Sequence, residues 1–299
     1  KKRLHKKKYK YKFTISLKMN LNKKSKLHVF LKKNLPLKGK HYLYFLLHFK
    51  DNIKIKIPHW ILSFLVTKIY DQNNDKLFTL RNFGGSTVSR GLSMFRTQPE
   101  IPKWINGFEK NSVFIDVGAN IGLFSLYAAK KGHKVVSFEP ESLNFACLNL
   151  NIKDNNFQDK ISAFPVAVND EAKISYLNLN VMKFGGSGST FERKINDHGN
   201  QFDSIYSQGS ISFKLDDLLE ETKTIPNYIK IDVDGNELKV VKGMTKIIQN
   251  KNLKSICIEL NPSFNEHVEV FKILKKYFKR YSKENWHEEE VFNHIFYKI

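Results

Sequence analysis

The stretch "SVFIDVGANIGLFSLYAAKKGHKVVSFEP", residues 112–140, decides the fold. Its first apolar run, roughly 112–117, has the length and β-rich content of a buried strand and ends around an acid, Asp116. Gly118 and Gly122 follow. Apolar residues then recur at helical spacing over about 120–131, and Gly132 stops them. A second strand-like run, 134–138, leads to another acid, Glu139. Strand, glycine-bearing turn, helix and strand form the unit on which nucleotide-type cofactors bind. The open question is which cofactor.

Glycines let backbone amides approach a ligand, and a helix N-terminus favours negative charge. A dinucleotide site is spelled G-x-G-x-x-G, with an acid about 20 residues on. Here an acid holds the first glycine's place, giving Asp116-x-Gly118-Ala119-Asn120-Ile121-Gly122, and the third glycine is missing. An acid at the strand end repels a pyrophosphate. A cationic ligand fits better. S-adenosylmethionine carries an ammonium and a sulfonium and no phosphate, so Asp116 can face positive charge or a bound water. Glu139 can accept two hydrogen bonds from a ribose diol, a role common to many nucleoside sites. Plain turn chemistry is the competing account of these acids and glycines.

Outward from this unit the rhythm continues, with short β-rich runs alternating with helix-length segments. That pattern predicts a parallel sheet covered on both faces. A helix is expected over 141–152, a third strand over 161–168, a fourth at 228–233 and a fifth at 255–260. Helices are expected from "LDDLL" (215–219), from Asn236 to about Asn250, and over 264–277. Two strands near 278–283 and 291–298 close the chain. Residues 173–213 break the rhythm and read as an inserted hairpin around a mobile loop, "FGGSGSTF" (184–191), which is either a lid or an ordinary surface loop.

The chain of 299 residues carries a net charge of +21, but the charge is local. Residues 1–60 hold 19 Lys and Arg against one acid, Asp51, whereas the other residues hold 31 basic and 28 acidic side chains. The chain therefore reads as a basic arm (1–40), an accessory region (41–107) and a catalytic domain (108–299). The arm suits RNA, anionic lipid or acidic glycan, or is a solvated tail. Two cysteines, Cys147 and Cys257, sit in apolar patterns with no metal-ligand spacing, which fits a reducing compartment and no metal. No apolar segment of signal-peptide type closely follows the basic start, and "HYLYFLLHF" (41–49) and "WILSFLV" (60–66) are too short to span a bilayer. A cytoplasmic protein, peripheral at the inner membrane face through its arm, is expected.

"FIDVGANIGLFSLYAAK", "FEP", "LDDLL", "IKIDVDGNELKVVKG" and "ICIEL" occur in that order. Together they resemble the FkbM family of S-adenosylmethionine-dependent methyltransferases over about 96–299. "RTQPEIPKWINGF" (96–108) resembles the lead-in of members found in surface-polysaccharide gene clusters. The resemblance implies an α/β, Rossmann-like class I methyltransferase fold, with a seven-stranded, mostly parallel sheet and an antiparallel last strand. It implies methyl transfer to a hydroxyl of a sugar, glycan or related metabolite. It maps cofactor binding onto Asp116, Gly118, Ala119, Asn120, Gly122, Glu139 and Pro140, with Ala167 or its neighbours meeting the adenine. One departure is Asp234, where the family more often has Glu in a D-x-E-G segment.

Ligands of open α/β sheets bind outside the carboxyl ends of the strands. The fourth strand ends in "KIDVDGNE", which brings Lys230, Asp232, Asp234 and Glu237 to the reacting end, with Glu259 ending the neighbouring strand. A sugar hydroxyl is a poor nucleophile when protonated, so a general base is expected. Asp232 is the first candidate and Glu237 the second. Lys230 either tunes a neighbouring carboxyl or serves itself if desolvated. The competing account has these acids holding the turn or binding the methionine ammonium. His198, His267, His287 and His294 have no metal-site spacing, and Trp60, Trp104 and Trp286 either stack on a sugar or pack in the core. Two other functions stay open, an RNA methyltransferase and a non-catalytic scaffold of the same fold. The near-neutral catalytic portion counts against RNA.

Overall fold

The structure, a computed structural model, describes residues 66–71, 75–282 and 292–298. The expectations for residues 1–60, for Trp60, Trp286 and His287, and for the apolar run at 41–49 lie outside the described residues. Contacts divide the chain into two compact units, one ending at Gly91 and one running from Leu92. In the first, β1 (Val66–Tyr70) and β2 (Lys76–Arg81) form an antiparallel pair. Thr67 Oγ1 donates to Asn82 Oδ1 at 2.8 Å beside it. Helix α1 (Gly85–Thr97) begins where the Thr87 hydroxyl accepts the Phe83 N–H.

The second unit starts earlier than the boundary at 108 that the sequence suggested. The reason is α2 (Glu100–Asn106), whose Ile101, Trp104 and Ile105 are buried. Trp104 is a core residue: it stands edge-on to Phe114 and Tyr228, and its indole N–H donates to Ser255 Oγ at 2.8 Å.

The central sheet is built from β3 (Val113–Val117), β4 (Lys134–Phe138), β5 (Ile161–Phe164), β10 (Tyr228–Ile231), β11 (Ser255–Leu260), β12 (Arg280–Ser282) and β13 (Phe292–Tyr297). Their spatial order is β12-β13-β11-β10-β3-β4-β5. The first five are parallel, and β13 runs antiparallel to both β11 and β12. The seven-stranded sheet with its antiparallel last strand is thus as expected. Ile115, Ile229 and Ile256 join one core with Val240, Val241, Val270 and Leu274 of the covering helices. Burial on both faces is what makes the parallel strands read as mostly apolar runs.

Three details differ from the sequence reading. The third strand stops at Phe164, because Pro165 has no N–H to give the ladder. Ala167 and Val168 (β6) join a separate four-stranded sheet instead, with β7 (Lys173–Leu179), β8 (Thr190–Phe191) and β9 (Tyr206–Phe213), in the order β6-β9-β7-β8. The expected hairpin is the β7–β9 pair. The helix after the fourth strand is broken into α6 (Glu237–Lys242) and α7 (Thr245–Gln249). Asp216 of α5 (Leu215–Glu221) causes the break by accepting the N–H groups of Lys246 and Ile247, each at 2.9 Å, which starts a new helix. Finally, β10 ends at Ile231, and Asp234 and Gly235 turn the chain at φ 56° and 115°.

Candidate active site

The turn between β3 and α3 (Leu123–Lys130) is held by its own backbone. Gly118 and Ala119 both donate to Phe138 O, and Gly122 donates to Ala119 O. Asn120, left-handed at φ 52°, donates its N–H to Glu139 Oε2 at 2.7 Å, and its Oδ1 accepts from Ile121 N. All five amides from 118 to 122 therefore have partners within the protein, and none is left for a phosphate oxygen. Gly118 is required by space: a Cβ there would lie 1.8 Å from Asp232 O, so the turn touches the end of β10 directly. Gly122 abuts Leu148 of α4 (Ser142–Asp154), where a Cβ would meet Leu148 Cδ1 at 2.3 Å.

Glu139 sits at the end of β4, 6% exposed, and its Oε1 accepts the Glu141 N–H at 2.9 Å. Burial raises its pKa from 4.5 to about 8, against the pull of its two backbone donors, while Glu141 and Asp234 add negative charge nearby. Each oxygen keeps a free lone pair for a ligand hydroxyl. Glu141 caps α4 by accepting Leu143 and Asn144 N–H groups. The Pro140 carbonyl accepts from Gln208.

Asp116 is turned inward, 1% exposed. Its Oδ2 accepts the Ser125 hydroxyl at 2.5 Å, and that hydroxyl lies 2.9 Å from Ser137 Oγ. Its Oδ1 has no hydrogen bond among the described residues and lies 3.9 Å from Lys230 Nζ. The positive charge that Asp116 faces is thus the protein's own. Burial pushes its carboxyl up, while Lys230 and Ser125 pull it down.

Lys230 lies between two acids and over the Phe124 ring, 5.5 Å from its centroid. Its Nζ is 2.8 Å from Asp232 Oδ2. Burial alone would lower its pKa, but Asp232 and Asp116 outweigh this and raise it, so the ammonium stays charged and is no base. Behind it the Cys257 thiol is driven up by burial and stays protonated. Asp234 Oδ2 accepts the Gly188 N–H at 2.8 Å. Glu237, 1% exposed, accepts N–H groups from Val233 and Gly235 and lies 2.8 Å from His267 Nε2. His267 Nδ1 accepts the Asn261 N–H at 2.7 Å, so its proton is on Nε2 and points to Glu237. Glu237 is thereby a latch for the 233–235 turn. Glu259 is half-buried, and burial among Asp232, Asp234 and Glu237 raises its pKa well above the usual carboxylate range.

The "FGGSGSTF" segment straps the two halves together. Asn144 of α4 clamps it from below, accepting the Gly185 N–H at 2.8 Å and donating to Gly186 O at 3.1 Å. Asn120 Nδ2 donates to the same carbonyl at 2.6 Å. Two residues on, Gly188 N meets Asp234, and Asn236 Nδ2 reaches Phe191 O.

Of the predicted residues, the structure gathers Gly118, Ala119, Asn120, Gly122 and Glu139 at the turn, and Lys230, Asp232, Asp234, Glu237 and Glu259 around the end of β10. Ala167 stands apart, buried with Leu177, Leu179 and Phe191 in the smaller sheet, because Phe164 ends the third strand. Ser125, Asn144 and His267 lie beside these residues; of the three the sequence marked only His267, as one of four histidines without metal-site spacing. His294 is likewise buried, its pKa lowered to about 4 by burial. Among the described residues no cluster of His, Cys, Asp and Glu could hold a metal ion, and no helix is long and apolar enough to cross a membrane.

Comparison with known proteins adds four findings. A family profile described as the methyltransferase FkbM domain matches residues 116–281, more than half of the chain. Hexuronic acid methyltransferase AglP of Haloferax volcanii is 29% identical over 148 residues, 48% of this chain and 54% of that protein. Methyltransferase sdnD of Sordaria araneosa is 26% identical over 164 residues, 47% of this chain and 63% of its own. The chain spans little more than half the length of these relatives. A crystal structure of methyltransferase FkbM from Methylobacillus flagellatus KT is 18% identical and covers 64% of this chain and 44% of its own, with a TM-score of 0.43.

Proposed function

The chain belongs to the FkbM methyltransferase family, and we propose that it transfers a methyl group from S-adenosylmethionine to a hydroxyl oxygen of a sugar or related polyhydroxylated acceptor. The observation that carries this reading is the turn at 118–122, whose five amides are all taken while a carboxyl, Glu139, occupies the position beside Asn120. Such a site rejects a pyrophosphate and accepts a ribose diol. One further acid, the partly exposed Asp232, suits a cationic ligand, whereas Asp116 is turned inward to Lys230 and Ser125.

In this reading Glu139 holds the ribose, and the Gly118–Gly122 turn forms the floor beneath it. Bound there, S-adenosylmethionine supplies an already activated methyl group on a positively charged sulfur. The protein's task is then to orient an acceptor hydroxyl, exclude water and take one proton. Lys230 remains cationic and fixes Asp232 and Asp116 relative to each other. The strap over 184–191 lies where it can shield the crevice from water. A sugar-like acceptor is supported by the relative named as a hexuronic acid methyltransferase. We extend the reading to surface-polysaccharide biosynthesis at the cytoplasmic side of a membrane, with the basic residues 1–60 meeting anionic lipid.

Isothermal titration against S-adenosylmethionine and against NAD tests the cofactor. Binding of the first and not the second is expected, and the reverse preference would overturn the reading. Incubation with methyl glycosides of hexoses and hexuronates, followed by mass spectrometry for a one-methyl gain, tests the acceptor class.

A further inference from the structure

Five acids line the reacting end or its floor, and four are already committed within the protein. Asp116 accepts from Ser125. Asp232 is held by the Lys230 ammonium. Asp234 accepts from the strap at Gly188. Glu237 is latched by two backbone amides and His267. Glu259 makes no side-chain hydrogen bond or ion pair with any described residue.

Its place in the sheet is equally specific. Lys230 pairs with Cys257 and with Asp116, and Ile231 pairs with Ile258. One step further toward the carboxyl ends, Asp232 and Glu259 stand side by side. Alternation puts both on the face that carries Lys230 and Cys257. This is the level at which Gly118 touches Asp232, and so the level of the cofactor turn. Glu259 is therefore a half-buried carboxyl beside Asp232 whose oxygens are bonded by no described residue.

We propose that Glu259 is the catalytic residue that takes the acceptor's hydroxyl proton, an assignment that rests on the methyl-transfer reading above. The proton passes from the hydroxyl to a Glu259 oxygen. The electron pair of the broken O–H bond stays on the acceptor oxygen and forms its new bond to the methyl carbon. The carbon–sulfur pair returns to sulfur, so a carboxylate and a sulfonium become a carboxylic acid and a neutral thioether. Charge and atoms balance without another reactant.

The neighbourhood suits a base. Asp232 and Asp234 on the β10 side, Glu237 of α6 and burial all make Glu259 hold a proton more tightly, and Lys230 opposes them. Across the sheet, Asn293 of β13 pairs with Glu259 and binds Glu100 of α2. A base of raised basicity beside a fixed ion pair separates the two roles, proton acceptor and electrostatic support.

The test compares wild type with Glu259→Gln and Glu259→Asp, using S-adenosylmethionine and whichever methyl glycoside the wild type methylates. Glu259→Gln is expected to lower kcat about 10²–10⁴-fold, with cofactor affinity by calorimetry within about tenfold. It should also remove the acidic limb of the pH–rate profile. In ¹³C NMR of carboxyl-labelled glutamate, it should delete one resonance that titrates above the ordinary range. Glu259→Asp should keep that limb at a reduced kcat. A Glu259→Gln enzyme with more than about a tenth of wild-type kcat overturns the assignment. Should that variant not fold, wild-type kcat in Glu259→Asp overturns it as well. A wild type that binds the cofactor yet methylates none of the glycosides overturns the functional reading, and this assignment with it.

Discussion

Replacing Glu139 with Gln probes the ionisation of the carboxyl at the end of β4. At ~1.4 kcal/mol per tenfold change, the rise from 4.5 to about 8 caps the cost of ionising this group in the fold at roughly 5 kcal/mol. Buried sites relax and behave as if in a dielectric near 20, so about 2–3 kcal/mol is the expected size. The folded protein holds this proton more tightly than the unfolded chain does. Its contribution to stability is therefore complete below about pH 4.5 and is lost as pH rises toward about 8. Gln cannot ionise, but it turns an amide NH2 toward one of the two backbone donors, which costs about 1 kcal/mol. The two stability curves should cross, with Glu139→Gln weaker at low pH and stronger by about 1–2 kcal/mol near pH 8. Urea unfolding from about pH 5 to about pH 8.5 measures the difference. Asp116 and Glu259 lean the same way in both proteins and cancel. Parallel curves would refute the reasoning. A ribose diol favours the ionised form, so S-adenosylmethionine should bind wild type more tightly as pH rises, with proton release, and Glu139→Gln should show neither.

Lys230→Met leaves Asp116 buried without a cation, and unfolding free energy should fall by about 3–5 kcal/mol; a loss under about 1 kcal/mol in denaturant melts contradicts the ion-pair account. Gly118→Ala places a methyl 1.8 Å from Asp232 O at a positive φ, so the melting temperature should drop sharply, as for a loss above about 3 kcal/mol, and an unchanged melt refutes the close approach. Asn144→Ala releases Gly185 and Gly186, costing about 1–2 kcal/mol in global stability. Limited proteolysis should then cut within 184–189 faster than in wild type, and equal rates would show that Asn144 does not hold the strap.

The sheet was legible because its strands are buried on both faces, so "VFIDV" and "SICIEL" read as short, mostly apolar runs interrupted only by Asp116, Ser255 and Glu259. The misplaced edges have local chemical causes acting at a distance. Asp216 cuts a helix 30 residues downstream, a contact that periodicity does not record. Pro165 was visible, but alternation past it disguised the change of sheet. In the site, positions set by backbone need were readable, such as Gly118, Gly122 and the acid at Glu139. Side-chain partnership was not. Asn144 reaches Gly185 across 41 residues, and His267 reaches Glu237 across 30. The sequence ranked Asp232 and then Glu237 as the base because it does not show which acids already have partners.

Partnership also sets the role of Asp234. Asp234 adopts φ 56°, a left-handed conformation that Asp tolerates better than Glu, because its short side chain bonds locally. From there its carboxylate meets Gly188 N at 2.8 Å. A Glu would pay more for the turn and would carry its carboxylate one methylene past that amide. The shorter acid at this position thus anchors the strap through Gly188. Gly186 fastens the other side of the strap to Asn120 and Asn144. One loop then fixes the 118–122 turn and the 233–235 turn together, and it makes no hydrogen bond to Glu259, which the proposed role of that carboxyl requires.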